Sequence, residues 1–116
     1  MEQLTILHEI ARRQAQEGMD RALESAEQVV PKWGDIAFAW IERYARSHQR
    51  FTGWMLVKAA ANDPNFPPPP TEKAWGGPIQ RASRRGIIRR VGTEKDPHRH
   101  GNPIPLWEST ICGMPF

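Results

Sequence analysis

Apolar positions recur at spacings of three and four along much of the chain, the period that gathers side chains on one helical face. Met19, Leu23, Ala26 and Val30 keep it, predicting a helix over residues 3–30 that Pro31 ends. Leu4, Leu7, Ile10 and Ala11 form an earlier stripe. Gly18 separates the two stripes, and a mid-helix glycine costs about 1 kcal/mol relative to alanine, so a break or bend is expected there. Asp35, after Gly34, is the expected N-cap of a second helix running to about Ser47, with Ile36, Ala37, Trp40, Ile41, Tyr44 and Ala45 on a broad apolar face. Thr52 can cap a third, short helix in which Met55, Leu56, Ala59 and Ala60 face inward and Asn62, Asp63 and Pro64 stop the run.

The stretch DPNFPPPP then excludes helix and sheet, because each proline lacks an N–H and holds its predecessor extended. It reads as a stiff spacer that Phe66 pins to the core. A fourth helix is expected within residues 73–85, with Trp75, Ile79 and Ala82 facing one way and Gln80, Arg81, Arg84 and Arg85 elsewhere. Pro78 fits only the first turn, where a missing donor costs nothing, so the regular helix should begin near Gly77. Gly86 reads as the residue just past its C-terminus. A strand then starts at IIRRV and returns as IPLWES after the loop GTEKDPHRHGNP, a two-stranded hairpin. Pro103 and Pro105 place the return strand at an edge, where an absent N–H can point away from a partner.

With 116 residues, 39% of them hydrophobic, the chain has the size of one domain with one modest core. Five tryptophans and four phenylalanines can anchor it, since each buries roughly 150–250 Å². The expected organisation is an N-terminal helical extension over 1–31, a folded domain over 32–108 and a tail over 109–116. No apolar run approaches the roughly 20 residues of a membrane span, and MEQLTILHEIARR lacks the apolar centre of a signal peptide. Cys112 is the one cysteine, which excludes an internal disulfide and a zinc site built from several thiolates. A cytoplasmic protein with no membrane attachment and no cofactor is expected.

The net charge of +3 is ordinary, but its distribution is not. Residues 71–100 hold eight Lys and Arg against three acids, a balance of +5, so the remainder of the chain carries –2. Such asymmetry concentrates positive field where phosphate attraction needs it. Three helices followed by a basic hairpin is the order of a winged helix-turn-helix, here mainly α with a small β-hairpin and an additional N-terminal helix. Its last helix would then present Lys73, Gln80, Arg81, Arg84 and Arg85 to double-stranded DNA, and its wing Arg89, Arg90, Lys95, His98 and Arg99. Arginine can bridge guanine O6 and N7 and glutamine can bridge adenine, so Gln80 and Arg81 are the candidate base readers. The others would contact phosphate.

At Trp75, Gly76, Ile79, Arg81, Ala82, Gly86, Ile87, Ile88, Val91 and Gly92, and again at HGNPIPLWES, the chain resembles a group of small phage and prophage winged-helix proteins. The resemblance covers residues 33–108 and implies a winged-helix fold, a role in phage gene control or DNA metabolism, and a bacterial host cytoplasm as location. Pro78 departs from the apolar or small residue that the pattern carries there.

Other chemistry has less to stand on. His98 and His100 with Asp96 sit on a loop with no thiolate near, and phosphate hydrogen bonding suits those histidines better than a metal. No nucleophile with a base, no carboxylate pair and no P-loop glycine run stands out, so no enzyme is expected. The stripe of Leu4, Leu7 and Ile10 must fold back on the core or form a homodimer through the N-terminal helix, which would set two wings on a palindromic site. The alternative function is a protein–protein interaction module that docks an acidic host or phage protein.

Overall fold

The computed structural model describes the backbone of residues 2–95 and 103–115 and the side chains of 9–95 and 103–115. It is mainly helical with a small antiparallel sheet: α1 (Glu2–Val29), α2 (Trp33–Ser47), β1 (Arg50–Thr52), α3 (Gly53–Ala61), a 3₁₀ turn (Glu72–Trp75), α4 (Gly76–Arg84), β2 (Ile88–Lys95) and β3 (Pro103–Ser109). Among the described residues, no helix is long and apolar enough to cross a membrane.

α1 runs unbroken through Gly18, against the expected bend. A penalty of about 1 kcal/mol is too small to interrupt a helix whose second half is docked, with Ala22 and Ala26 buried and Leu23 and Val30 packed beside them. The first half is different: described side chains 9–15 are exposed, Ile10 among them. A Cβ built at Gly18 meets nothing within 4 Å. Gly18→Ala is therefore expected to raise the unfolding free energy by about 0.5–1 kcal/mol. Urea unfolding should show a higher midpoint at unchanged slope.

α2 starts differently from the sequence expectation. The cap position belongs to Lys32, in the left-handed region at φ 61°, whose carbonyl accepts from the N–H groups of Asp35 and Ile36. Asp35 is not the cap: it sits in the first turn, and its carboxylate is paired with Arg81. The buried face is Trp33, Ala37, Phe38, Ile41 and Ala45, rotated from the expected one, so Ile36 is exposed and Trp40 and Tyr44 are half-buried. Trp33 is the centre of the core. It meets Trp75 edge-on at 5.3 Å and Phe66 at 6.2 Å, and its Nε1 donates to the Pro67 carbonyl at 2.9 Å. Phe66 is buried and stacked on Trp75, so the proline spacer is pinned as expected.

The sheet has three strands rather than two, in the order β1-β3-β2. β3 is central, which corrects its placement at an edge. The prolines are nevertheless accommodated: β1 pairs only with residues 106–108 of β3, and Pro103 and Pro105 face β2 alone. β2 extends through Lys95, into the stretch read as loop, with a bulge between Arg90 and Gly92. Thr52 ends β1 and caps α3, its Oγ1 accepting from the Met55 N–H at 3.3 Å. Leu56 and Ala60 point inward from α3, whereas Met55 is exposed.

Thr71 caps the 3₁₀ turn, and Pro78 falls in the first turn of α4, where its ring is buried and its lost donor costs nothing. Trp75 and Ala82 are buried and Ile79 half-buried, holding α4 to the core. Gly86 follows at φ 75°, a left-handed position that glycine adopts without a Cβ penalty. At the end of β3 the Ser109 hydroxyl donates to the Ala45 carbonyl at 2.7 Å, and beyond it the Gly113 N–H donates to the Arg46 carbonyl, fastening this segment to α2.

Candidate nucleic-acid interface

The cations of α4 have unequal surroundings, because two neighbouring elements reach it. α1 lies across its N-terminal turn through Gly76 and Gly77. A Cβ on Gly76 would stand 2.2 Å from Met19 Sδ, and one on Gly77 2.9 Å from Leu23 Cδ2. A side chain at either position would require Met19 or Leu23 to shift. One turn further, the Gln80 amide donates to Gln16 Oε1 of α1 at 3.2 Å and is half-buried. A groove of about 410 Å³ runs along this seam, with Asp20 and Glu27 of α1 and Asp35 of α2 facing Arg81 and Arg84.

Arg81 Nη1 donates to Asp35 Oδ1 at 2.7 Å, and its guanidinium lies 4.2 Å from the Phe38 ring centre. The pair is semi-exposed, and such pairs are worth up to about 1 kcal/mol, so its main effect is to orient the arginine. Arg85 lies over the same ring at 5.2 Å and is otherwise exposed. Arg84, Arg90, Lys95 and Lys73 are exposed, and among the described residues none of them is in an ion pair. His98 and Arg99 lie outside the described residues, as do Asp96 and His100 of the considered metal loop. Among the described residues, no group of three or more His, Cys, Asp or Glu could hold a metal ion.

Arg89 leads to what the sequence reading missed. It is 67% exposed, and its Nη2 donates to Glu108 Oε1 at 2.5 Å. Arg50 of β1 reaches the other oxygen of the same carboxylate, Nε to Oε2 at 3.1 Å, and is 62% exposed. β1 has three residues, too few for a strand period to show in the sequence, so Arg50 is not among the candidates that the sequence offers. The available signal was the β-favouring pair Phe51–Thr52 after it, and the period-two alternation that puts Glu108 on the face of Leu106.

The two guanidiniums hold the Glu108 carboxyl below its ordinary value of 4.5, Arg89 contributing most and Arg50 next. A lowered carboxylate contributes stability that is full above 4.5 and is lost as pH falls through the folded value. Carbon-13 NMR titration should therefore place Glu108 below 4.5. Arg89→Ala should return it further toward the ordinary value than Arg50→Ala; the reverse order would contradict the geometry.

A separate open cleft of about 390 Å³ lies between α2 and the end of α3, lined by Trp40, Arg43, Tyr44, Asn62 and Asp63. Tyr44 stacks on Trp40 at 5.2 Å and on His48 at 3.8 Å, and burial pushes its hydroxyl pKa up. In this cleft the Trp40 indole donates to Asp63 Oδ2 at 3.3 Å.

Compared with protein-family models, curated proteins and solved structures, the chain finds no match.

Proposed function

We propose that this chain is a phage-type winged-helix DNA-binding protein, a regulator of transcription or an accessory factor in phage DNA metabolism. In this reading α2, α3 and α4 are the three helices of a winged helix-turn-helix, β1 closes the sheet, and β2 with β3 forms the wing. The observation that carries it is the collection of exposed cations on two consecutive elements: Arg84 and Arg85 at the end of α4, and Arg89, Arg90 and Lys95 on β2. Exposed cations on adjoining elements attract a phosphate backbone. Lys73 adds a sixth from the 3₁₀ turn, and the wing loop carries His98 and Arg99. Gln80 and Arg81 belong to the same interface as base readers, and Gln80 reaches a base edge only when Gln16 releases it. The reading includes a cytoplasmic site of action and a homodimer through the first half of α1, whose described side chains 9–15 are exposed.

The test is fluorescence anisotropy of a labelled duplex, titrated from low to physiological salt. About six phosphate contacts give a log-log slope near –5. No binding at low salt would refute the proposal.

The cover that α1 lays over Gly76, Gly77 and Gln80 favours a second reading, in which the same basic surface docks an acidic protein. Such a surface would bind an acidic partner and leave the duplex free in that titration.

A further inference from the structure

Strand register sets Arg50, Glu108 and Arg89 in one row across the sheet, because Arg50 and Arg89 are both directly opposite Glu108. Residues opposite one another in antiparallel strands share a face, so the three side chains rise on the same side. The carboxylate keeps only 13% of its exposure, while the arginines keep 62% and 67%. The acid is thus the floor of the row and the guanidiniums are its rim. Arg50 spends only Nε on Glu108. Arg89 spends Nε and one N–H of Nη2. Of the five donors on each guanidinium, four remain on Arg50 and three on Arg89. The row carries one net positive charge.

We propose that Arg50, Glu108 and Arg89 form a clamp for the nucleic-acid phosphate backbone, in which the two arginines touch phosphate and Glu108 is a positioning residue. This deepens the DNA-binding reading and rests on it. A free arginine gives up about 2 kcal/mol of rotamer freedom when it is fixed on a ligand. Glu108 fixes both arginines before the duplex arrives, which removes most of that cost from binding. Its negative charge works in the opposite direction, repelling phosphate. Pre-ordering therefore has to outweigh a repulsion that water and salt screen at this exposed rim. The clamp also explains why an acid stands in the middle of the most basic part of the sheet. Without it, Arg50 and Arg89 would face one another across β3 as like charges.

The experiment is anisotropy with the labelled duplex on the full chain carrying Arg50→Ala, Arg89→Ala or Glu108→Gln, each checked by thermal unfolding. Arg50→Ala and Arg89→Ala should each weaken binding several-fold and flatten the salt slope by about one. Glu108→Gln separates positioning from simple charge, because it makes the protein more positive. Field alone predicts tighter binding, whereas the clamp predicts binding several-fold weaker. Tighter or unchanged binding by Glu108→Gln, or unchanged binding by Arg50→Ala, overturns the clamp. Arg84→Ala with Arg85→Ala is the reference. If that pair loses binding while the clamp variants do not, the DNA reading stands without the clamp; if the unmodified chain binds no duplex, both fall.

Discussion

Trp33→Ala is expected to remove about 3–5 kcal/mol of unfolding free energy, the usual range for emptying a buried aromatic site. Domains of this kind hold roughly 5–15 kcal/mol in all, so the variant should be marginal or unfolded at body temperature. Trp33 has no exposed surface, meets the rings of Phe66 and Trp75, and donates to the Pro67 carbonyl. Its loss opens a cavity and also strands a carbonyl in the stiff proline segment that orients the 3₁₀ turn and α4. Trp33→Phe keeps part of the ring packing and loses only the N–H donor along with volume, so it should cost distinctly less. Urea unfolding compares the two directly. Equal losses would mean that the hydrogen bond to Pro67, rather than the packing, holds the spacer in place.

The second large effect belongs to binding. Replacing Arg84 and Arg85 together with alanine should weaken duplex affinity roughly tenfold to a hundredfold near physiological salt. Two lost phosphate contacts should bring the salt slope from near –5 to near –3.5. Folding should hardly notice. Both side chains are exposed, and the stacking of Arg85 over Phe38 is worth about 0.5–1 kcal/mol. Unchanged affinity with unchanged slope would end the DNA-binding proposal.

What could be read from the sequence was mostly chemistry that one residue decides locally. Thr52 caps α3 because its own hydroxyl reaches a free N–H, and Pro78 marks the first turn of α4 because it fits nowhere else in a helix. Gly86 ends α4 in a left-handed turn for the same kind of reason. Phe66 docks the spacer because it is the one aromatic in it. What escaped depends on partners far away in the chain. β1 has three residues, too few to show a period of two, and it becomes a strand only because β3 offers it a ladder. The inward face of α2 differs from the expected one because Phe38, with Asp35 and Glu42 on one side of it in the helical wheel, is covered by Arg81 of α4 and by Arg85 just past its end. The break expected at Gly18 does not form, since docking of the second half of α1 overrides a local propensity.

The candidate cations were visible as a cluster, but their states were not. Charge counting weights Arg81, Arg84 and Arg89 equally. The structure pairs Arg81 with Asp35 and Arg89 with Glu108, and leaves Arg84 without an ion pair among the described residues. Spacing also could not indicate that Gly76 and Gly77 are the landing for another helix.

The seam at those two glycines bears on how such a protein would move on DNA. In the proposed reading α4 is the recognition helix, whose N-terminal residues ordinarily reach base edges, and its first turn packs against α1. A protein held by phosphates alone has nearly the same energy in every register of the duplex. It slides and hops along the contour without stopping at any one address, and its dwell time follows ionic strength rather than sequence. Coverage of a genome would then be set by copy number and salt, as for a packaging or coating factor, while a repressor's single-site occupancy would require α1 to give up its place on α4.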